Sequence, residues 1–499
     1  MKTHIQNLFL LPALMAGLGL FSAVQVTAQT FTNLHSFPTV SGSFPYTNSD
    51  GANPQAGLVL SGNTLFGTAS MGGTNGTGTV FAISNGTFNL LRTFSALDQN
   101  TLTNTDGANP NGGLLLAGTN LYGTTYYGGT NGNGAIFSIS TNGVLKRLYS
   151  FTALDPNIGT NKDGANPNGG LLLAGSNLYG TTYYGGTNDN GAIFSISTNG
   201  AFNRLYSFTA LDPIAGTNKD GANPNGGLIF SSNRLYGTAA AGGSGGVGTM
   251  FAVNTNGTGF TNLHNFTATS GPLFTNSDGA NPAVGLVMSG NTLYGTTSSG
   301  GNSGNGIVFA VNTNGTGFTN LHSFTATSGS LSTNSDGANP GALILSGNTL
   351  YGTTQFGGGS GNGTVFAVNT DGTGFTTLYN FTVTSGPLST NSDGANPAAG
   401  LILSGTALYG AALNGGASGN GTVFKLAPPA PILSPQLSAG NFLLSFQAFA
   451  GASYTVQQNT NLAGTNWIAF TNIIGSGTVT QFTLPTTNAA QLFFRVRQP

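Results

Sequence analysis

The chain has 499 residues, yet only 5% of them are charged, and eleven basic against twelve acidic side chains leave a formal net charge of -1. An average globular protein is about 25% charged, so Asn, Thr, Ser and exposed backbone must keep this surface wet, and singly scattered basic residues leave no electrostatic footprint for nucleic acid or an anionic membrane. Cysteine is absent and every acid is Asp, which excludes disulfides and thiolate metal sites, while 81 glycines suit short strands and turns rather than helices.

Residues 1–28 read as a secretory signal peptide. Lys2 opens a basic start, residues 8–24 are apolar, and Val26-Thr27-Ala28 places small residues where a signal peptidase cleaves. Export follows, to the extracellular space or the outer cell surface of a bacterium, and no later segment is apolar enough to act as a transmembrane span.

From there the chain repeats itself. The string TNxDGANP recurs with its aspartate at Asp50, Asp106, Asp163, Asp220, Asp278, Asp336 and Asp393, at successive spacings of 56, 57, 57, 58, 58 and 57 residues. In the second copy, residues 113–117, 120–127, 135–140 and 145–151 are short apolar or aromatic runs bounded by Gly, Asn or Ser, the pattern of four strands in one antiparallel blade.

The ends of the array distinguish a closed ring from an open stack. Ahead of the first copy stands Phe31-Thr32-Asn33-Leu34-His35-Ser36-Phe37, which matches the fourth-strand sequence Phe260-Thr261-Asn262-Leu263-His264-Asn265-Phe266. The seventh copy stops after its third strand, Thr422-Val423-Phe424-Lys425-Leu426. A spare fourth strand at one end and a missing one at the other predict an all-β fold, a seven-bladed β-propeller over residues 29–427 closed by the N-terminal strand. The TNxDGANP loops and the Gly-Gly loops are expected on one face, the short turns on the other. A Pro-rich linker over 428–435 then leads to residues 436–499, whose roughly five alternating segments read as a small C-terminal β-sandwich with Trp467 in its core.

The repeat LYGTTYYGGTNGNGAIFSI, with DGANP ahead and LYSF behind, resembles the GloVer (Gloeo/Verruco) tandem-repeat family of exported bacterial proteins over about residues 31–426. The segment around Tyr454-Thr455-Val456-Gln457, Thr460-Asn461-Leu462 and Trp467 looks like a sandwich module found at the ends of secreted proteins of similar bacteria. The resemblance implies export and brings no catalytic residues with it.

Candidate sites are few. In the TNxDGANP loop, Asn104, Asp106 and Asn109 could offer oxygens to calcium, but that ion takes six to eight ligands, several of them carboxylates, and each loop has one charge. The structural reading, in which Asp-Gly and Asn-Pro form successive turns, is preferred to calcium at Asp50, Asp106, Asp163, Asp220, Asp278, Asp336 and Asp393. His35, His264 and His322 occupy one equivalent fourth-strand position, where other repeats carry Arg92, Tyr149, Tyr206 or Tyr379, and are expected far apart on the rim rather than around a metal. Glycine strings such as GGTNGNG run from strand to strand, so they offer no helix N-terminus for a phosphate.

The two residues before each Gly-Gly pair vary most: Ser70-Met71, Tyr126-Tyr127, Tyr183-Tyr184, Ala240-Ala241, Ser298-Ser299, Gln355-Phe356 and Leu413-Asn414. Exposed aromatics on adjacent blades could stack on sugar rings, which makes Tyr126, Tyr127, Tyr183, Tyr184 and Phe356 the candidate ligand-binding residues; recent duplication of blades two and three accounts for the shared tyrosines equally well. No group of titratable side chains is expected to converge as catalysis requires, and no cofactor is implied. The leading expectation is therefore a non-catalytic exported binding or surface scaffold protein, with an extracellular glycan or cell-surface component as partner on the loop-rich face. Two alternatives are a polysaccharide-active hydrolase or lyase with Asp at the mouth of the central channel, and a structural envelope protein.

Overall fold

The computed structural model describes residues 30–42 and 44–427, and beyond them the segments 434–438, 441–447, 453–459, 467–474, 479–484 and 493–497. The signal segment 1–28 and the Pro-rich stretch 428–433 lie outside the described residues. Every regular element among the described residues is a strand.

Blade two shows why the repeat folds as it does. Its strands Leu115–Ala117, Asn120–Thr125, Ala135–Ser140 and Leu145–Ser150 pair in chain order into one antiparallel sheet. In the central pair Gly123 lies opposite Phe137, and a Cβ at 123 would stand 2.6 Å from the Phe137 ring. The glycine thus lets the third-strand phenylalanine lie flat over its neighbour. The same pairing recurs in all seven blades, from Gly67 with Phe81 to Gly410 with Phe424. A bulge follows at the fourth strand, where Ile136 pairs with Tyr149 but Phe137 with Arg147. The extra residue breaks the alternation of faces, so Leu148 and Tyr149 both turn toward blade three.

Blades are held to one another by apolar side chains. Among the described residues, seven clusters of buried hydrophobic side chains lie between neighbouring blades; one joins Phe66, Val80 and Phe94 of blade one to Leu114, Leu121, Phe137 and Ile139 of blade two. The ring closes as expected: Thr30–Ser36 pairs antiparallel with Thr422–Ala427 and becomes the outer strand of blade seven.

Toward the axis the chain packs backbone on backbone. Just ahead of the first strands, a Cβ added at Gly113 would lie 3.6 Å from the Gly57 carbonyl, one at Gly170 3.3 Å from that of Gly113, and one at Gly226 only 2.4 Å from the Val284 carbonyl. Small residues at these positions are what allow seven blades to meet here.

The C-terminal residues form two three-stranded antiparallel sheets. One runs in the order Ser434–Ser438, Asn441–Gln447, Val479–Leu484, and the other in the order Ile468–Ile474, Ser453–Asn459, Phe493–Arg497. The first of these six strands begins inside the stretch read as linker, because Pro435 is tolerated on an edge strand. Trp467 is only partly buried; the core position expected of it is held instead by Tyr454 and Val456, at 1% and 0% exposure.

One side chain fastens the loops of every blade. Asn161 Oδ1 accepts the N–H of Gly164 at 2.8 Å and of Gly186 at 3.0 Å, while its Nδ2 donates to the carbonyls of Thr152 and Gly164 at 2.9 and 2.8 Å. Asn48, Asn104, Asn218, Asn276, Asn334 and Asn391 make the same four bonds. The inter-blade loop, the Gly-Gly loop and the end of the fourth strand are therefore tied at one point, on one face. Replacing Asn161 by Ala strands two donors and two acceptors, each costing about 1–3 kcal/mol if left unpaired and less where water reaches it. We expect a net loss of about 3 kcal/mol, read as a lower urea midpoint at unchanged slope.

Candidate functional site

The loop aspartates face the blade interfaces. Asp163 accepts from the Tyr149 hydroxyl at 2.7 Å, from the Thr152 N–H at 3.0 Å and from the Thr152 hydroxyl. At the equivalent point Asp106 meets Arg92 Nη2 at 2.8 Å, Asp220 the Tyr206 hydroxyl at 2.6 Å, Asp278 and Asp336 the Nε2 atoms of His264 and His322 at 2.9 and 3.0 Å, and Asp393 the Tyr379 hydroxyl at 2.8 Å. These six carboxylates are buried. Asp50 is partly exposed, with His35 Nε2 3.1 Å away but not aligned for a hydrogen bond.

Each partner ring also stacks on the fourth strand of the next blade, Tyr149 on Phe202 at 4.1 Å, His264 on Phe318 at 4.0 Å and His35 on Phe88 at 3.9 Å between centroids. Blade one carries Arg92 instead of a ring, and blade two correspondingly carries Leu145 in place of the phenylalanine. The three histidines therefore sit in three separate interfaces, as their equivalent positions predict. Arg, Tyr and His share one property, a donor aimed at a carboxylate, and that common chemistry is the signal by which sequence reasoning could have found the pairing.

This arrangement bears on two alternative readings. The carboxylates sit beside fourth strands rather than at the mouth of the channel, where first strands approach each other. The calcium set also separates: Asn104 Oδ1 receives the N–H groups of Gly107 and Gly129, Asp106 faces blade one, and Asn109 Nδ2 donates to the Ser70 carbonyl. Of the remaining acids, Asp98, Asp155, Asp212 and Asp371 accept bonds within their own turns, and Asp189 accepts from the Gly185 N–H at 2.8 Å.

The varied pairs ahead of the Gly-Gly loops are held on a fixed backbone. Ala108 and Tyr127 exchange N–H to carbonyl bonds of 2.8 and 3.0 Å, and Asn109 accepts from the Tyr126 N–H at 3.0 Å. Asn166 of the next blade reaches the Tyr126 carbonyl at 2.8 Å. Above this support Tyr126 and Tyr127 meet edge to face at 4.7 Å between centroids, Tyr183 and Tyr184 at 4.6 Å. Tyr127 and Tyr184 are each 40% exposed.

Burial raises the Tyr126 hydroxyl well above its usual range, and the hydroxyls of Tyr127, Tyr184 and Tyr183 add to the effect. Burial and Tyr184 likewise raise Tyr183. The two tyrosine pairs stand at equivalent points of adjacent blades, Tyr127 bridged to Ala108 and Tyr184 to Ala165. Phe356, 44% exposed, stands apart from them on blade six.

A closed ring of seven antiparallel blades, with an amide tie in every blade and a carboxylate tie at six of the interfaces, defines a seven-bladed β-propeller. The family model of the Gloeobacter/Verrucomicrobia repeat matches residues 15–217, 211–338 and 330–495, and the chain belongs to that family. No curated protein matches it. Among solved structures it is similar to a putative 6-phosphogluconolactonase from Bacteroides uniformis ATCC 8492, at 15% identity over 84% of this chain and 98% of that one, with a TM-score of 0.43. It is also similar to an oligogalacturonate lyase in complex with manganese (10% identity, 81% and 94% coverage, TM-score 0.45) and to a puromycin hydrolase (11% identity, 83% and 62% coverage, TM-score 0.44). Likeness at this level carries no inference about chemistry.

The interface carboxylates make stability depend on pH. Burial of Asp278 opposes its ionisation, but hydrogen bonds from His264 and Thr267 outweigh it and hold the carboxyl below the ordinary value of 3.8. Asp336 is held down in the same way by His322 and Thr325. A carboxyl lowered by folding contributes stability that is complete above its unfolded value and is lost as pH falls through the folded one. Asp278→Asn should therefore lower Tm at about pH 6, with a difference from the parent that shrinks below about pH 4. A difference that stays constant to about pH 3 would remove charge from the account.

Proposed function

We propose that the protein is a non-catalytic exported binding module that takes a neutral glycan on the loop-rich face of its propeller, through Tyr126, Tyr127, Tyr183 and Tyr184. The observation that supports this reading is an edge-to-face tyrosine pair at the same point of each of two adjacent blades, one ring of each pair substantially exposed, on a backbone held by the TNxDGANP loops. Ring faces edged by neutral hydroxyls suit the alternating C–H and O–H surface of a sugar. The placement of the loop aspartates inside the blade interfaces favours binding over hydrolysis, since general acid and base chemistry needs titratable groups beside the ligand. Export rests on the signal-like residues 1–28 and places the ligand outside the cell or on its surface.

The test is a glycan-array and calorimetric comparison of the parent with the variant in which all four tyrosines are alanine. Two exposed rings contributing about 1 kcal/mol each predict a loss of affinity of at least about tenfold in a variant that still unfolds cooperatively. Equal binding by both proteins would remove the tyrosines from the site.

A further inference from the structure

The seven blades depart from symmetry at one point that matters for ligands. In six repeats the segment from the loop aspartate to the first-strand leucine has one length, as from Asp278 to Leu286; in blade six, from Asp336 to Leu343, it is one residue shorter. The shortened segment is drawn straight. Ala338–Pro340 pairs as a strand with the extended second strand Thr349–Phe356, Ala338 opposite Phe356 and Pro340 opposite Thr354.

One side chain of the same blade changes partner. The asparagine of each Asn-Pro has a left-handed φ of 55–58°, which asparagine tolerates, and in six repeats its Nδ2 donates to a backbone carbonyl of the preceding blade, as Asn281 does to Ala240 at 2.9 Å. Asn339 instead turns back to its own blade and donates to Gln355 Oε1 at 2.8 Å. The side-chain tie to Ser298 is missing at this interface, and a cleft of about 540 Å³ lies there, lined in part by Ser298, Asn305, Leu331, Asn339, Phe356 and Asn362.

The geometry points to this cleft as a second ligand site, for a neutral saccharide, separate from the tyrosine cluster; it rests on the reading of the protein as a glycan-binding module. Among the described residues no ionisable side chain lines the cleft, which removes the attraction an anion or cation would need in order to offset its desolvation. Phe356 supplies an exposed apolar ring face, and serine, threonine and asparagine side chains supply the surrounding polar atoms. The volume lies within the range of small-molecule sites, about 300–1,000 Å³, enough for a short oligosaccharide.

Hydrogen–deuterium exchange on the full chain, with and without cello-, xylo-, chito- and galacto-oligosaccharides, separates the two sites. At least one sugar should protect residues 327–332 and 356–362, and Phe356→Ala should weaken that protection at least about tenfold in sugar concentration, as loss of a ring contact of about 1.4 kcal/mol would, while protection of 126–129 and 183–186 persists. Inserting one alanine after Pro340, to restore the common length, should return Asn339 to Ser298 and abolish protection at the cleft. Absence of protection at 327–332 and 356–362 with every sugar, or protection indifferent to Phe356→Ala, would overturn the proposal. Protection at the tyrosine segments is read independently, so failure of one site is not mistaken for failure of the other.

Discussion

The structure depends on an amide side chain that satisfies itself completely in each blade. A primary amide has two donor hydrogens and an acceptor oxygen with two lone pairs, and the asparagine that opens each TNxDGANP loop uses all of them on backbone groups. For Asn104 these are the N–H groups of Gly107 and Gly129 and the carbonyls of Ser95 and Gly107. Aspartate would lack the donors, and glutamine would reach too far. The backbone of the same residue adds a bond to the Gly129 carbonyl. Three segments far apart in a blade are thus held without any charged group, which is how a chain with 5% charged residues keeps long loops ordered.

The carboxylate ties act at the next level. Six of the seven aspartates bond the fourth strand of the blade before theirs, and where the donor is a ring it stacks at the fourth strand of the blade after. Apolar clusters beneath them supply non-directional attraction between blades, while the hydrogen bonds fix register. An acidic residue that serves in this way is poorly placed for proton transfer to a ligand, because its lone pairs already meet protein donors.

Much of this fold was legible in the chain. Period, strand number and closure follow from repeated local patterns, and the second-blade strand 135–140 was read to the residue. Bonds that link residues distant in sequence were not legible. The asparagine at 104 looks like a turn former or a calcium ligand until Gly129 is seen against it, 25 positions away. The donor to each aspartate hides behind the chemical variety of Arg92, Tyr149 and His264. In the C-terminal region the single tryptophan was expected at a core position, but Tyr454 and Val456 are more buried. The tyrosines were legible as a candidate because they vary where their surroundings do not; that Phe356 belongs with a different cleft needed the structure, since ring order alone does not say which side chains share space.

A repeat protein confines individuality to the positions its scaffold leaves free. Here the scaffold uses the Asn, the Asp, the third-strand Phe and the glycines facing it, and these are the positions that hardly change between blades. Substitution at Tyr126-Tyr127 and Tyr183-Tyr184 keeps the tie that recurs between blades, because the asparagine of the neighbouring blade bonds their backbone carbonyls. Blade six departs further: its segment from the loop aspartate to the first-strand leucine is one residue shorter and its asparagine bonds its own blade's glutamine rather than a neighbour's carbonyl, exchanging one interblade tie for accessible volume. The remaining backbone bond from the Asn339 N–H to the Asn305 carbonyl, at 3.0 Å, still joins the two blades, so a cleft is obtained without opening the ring.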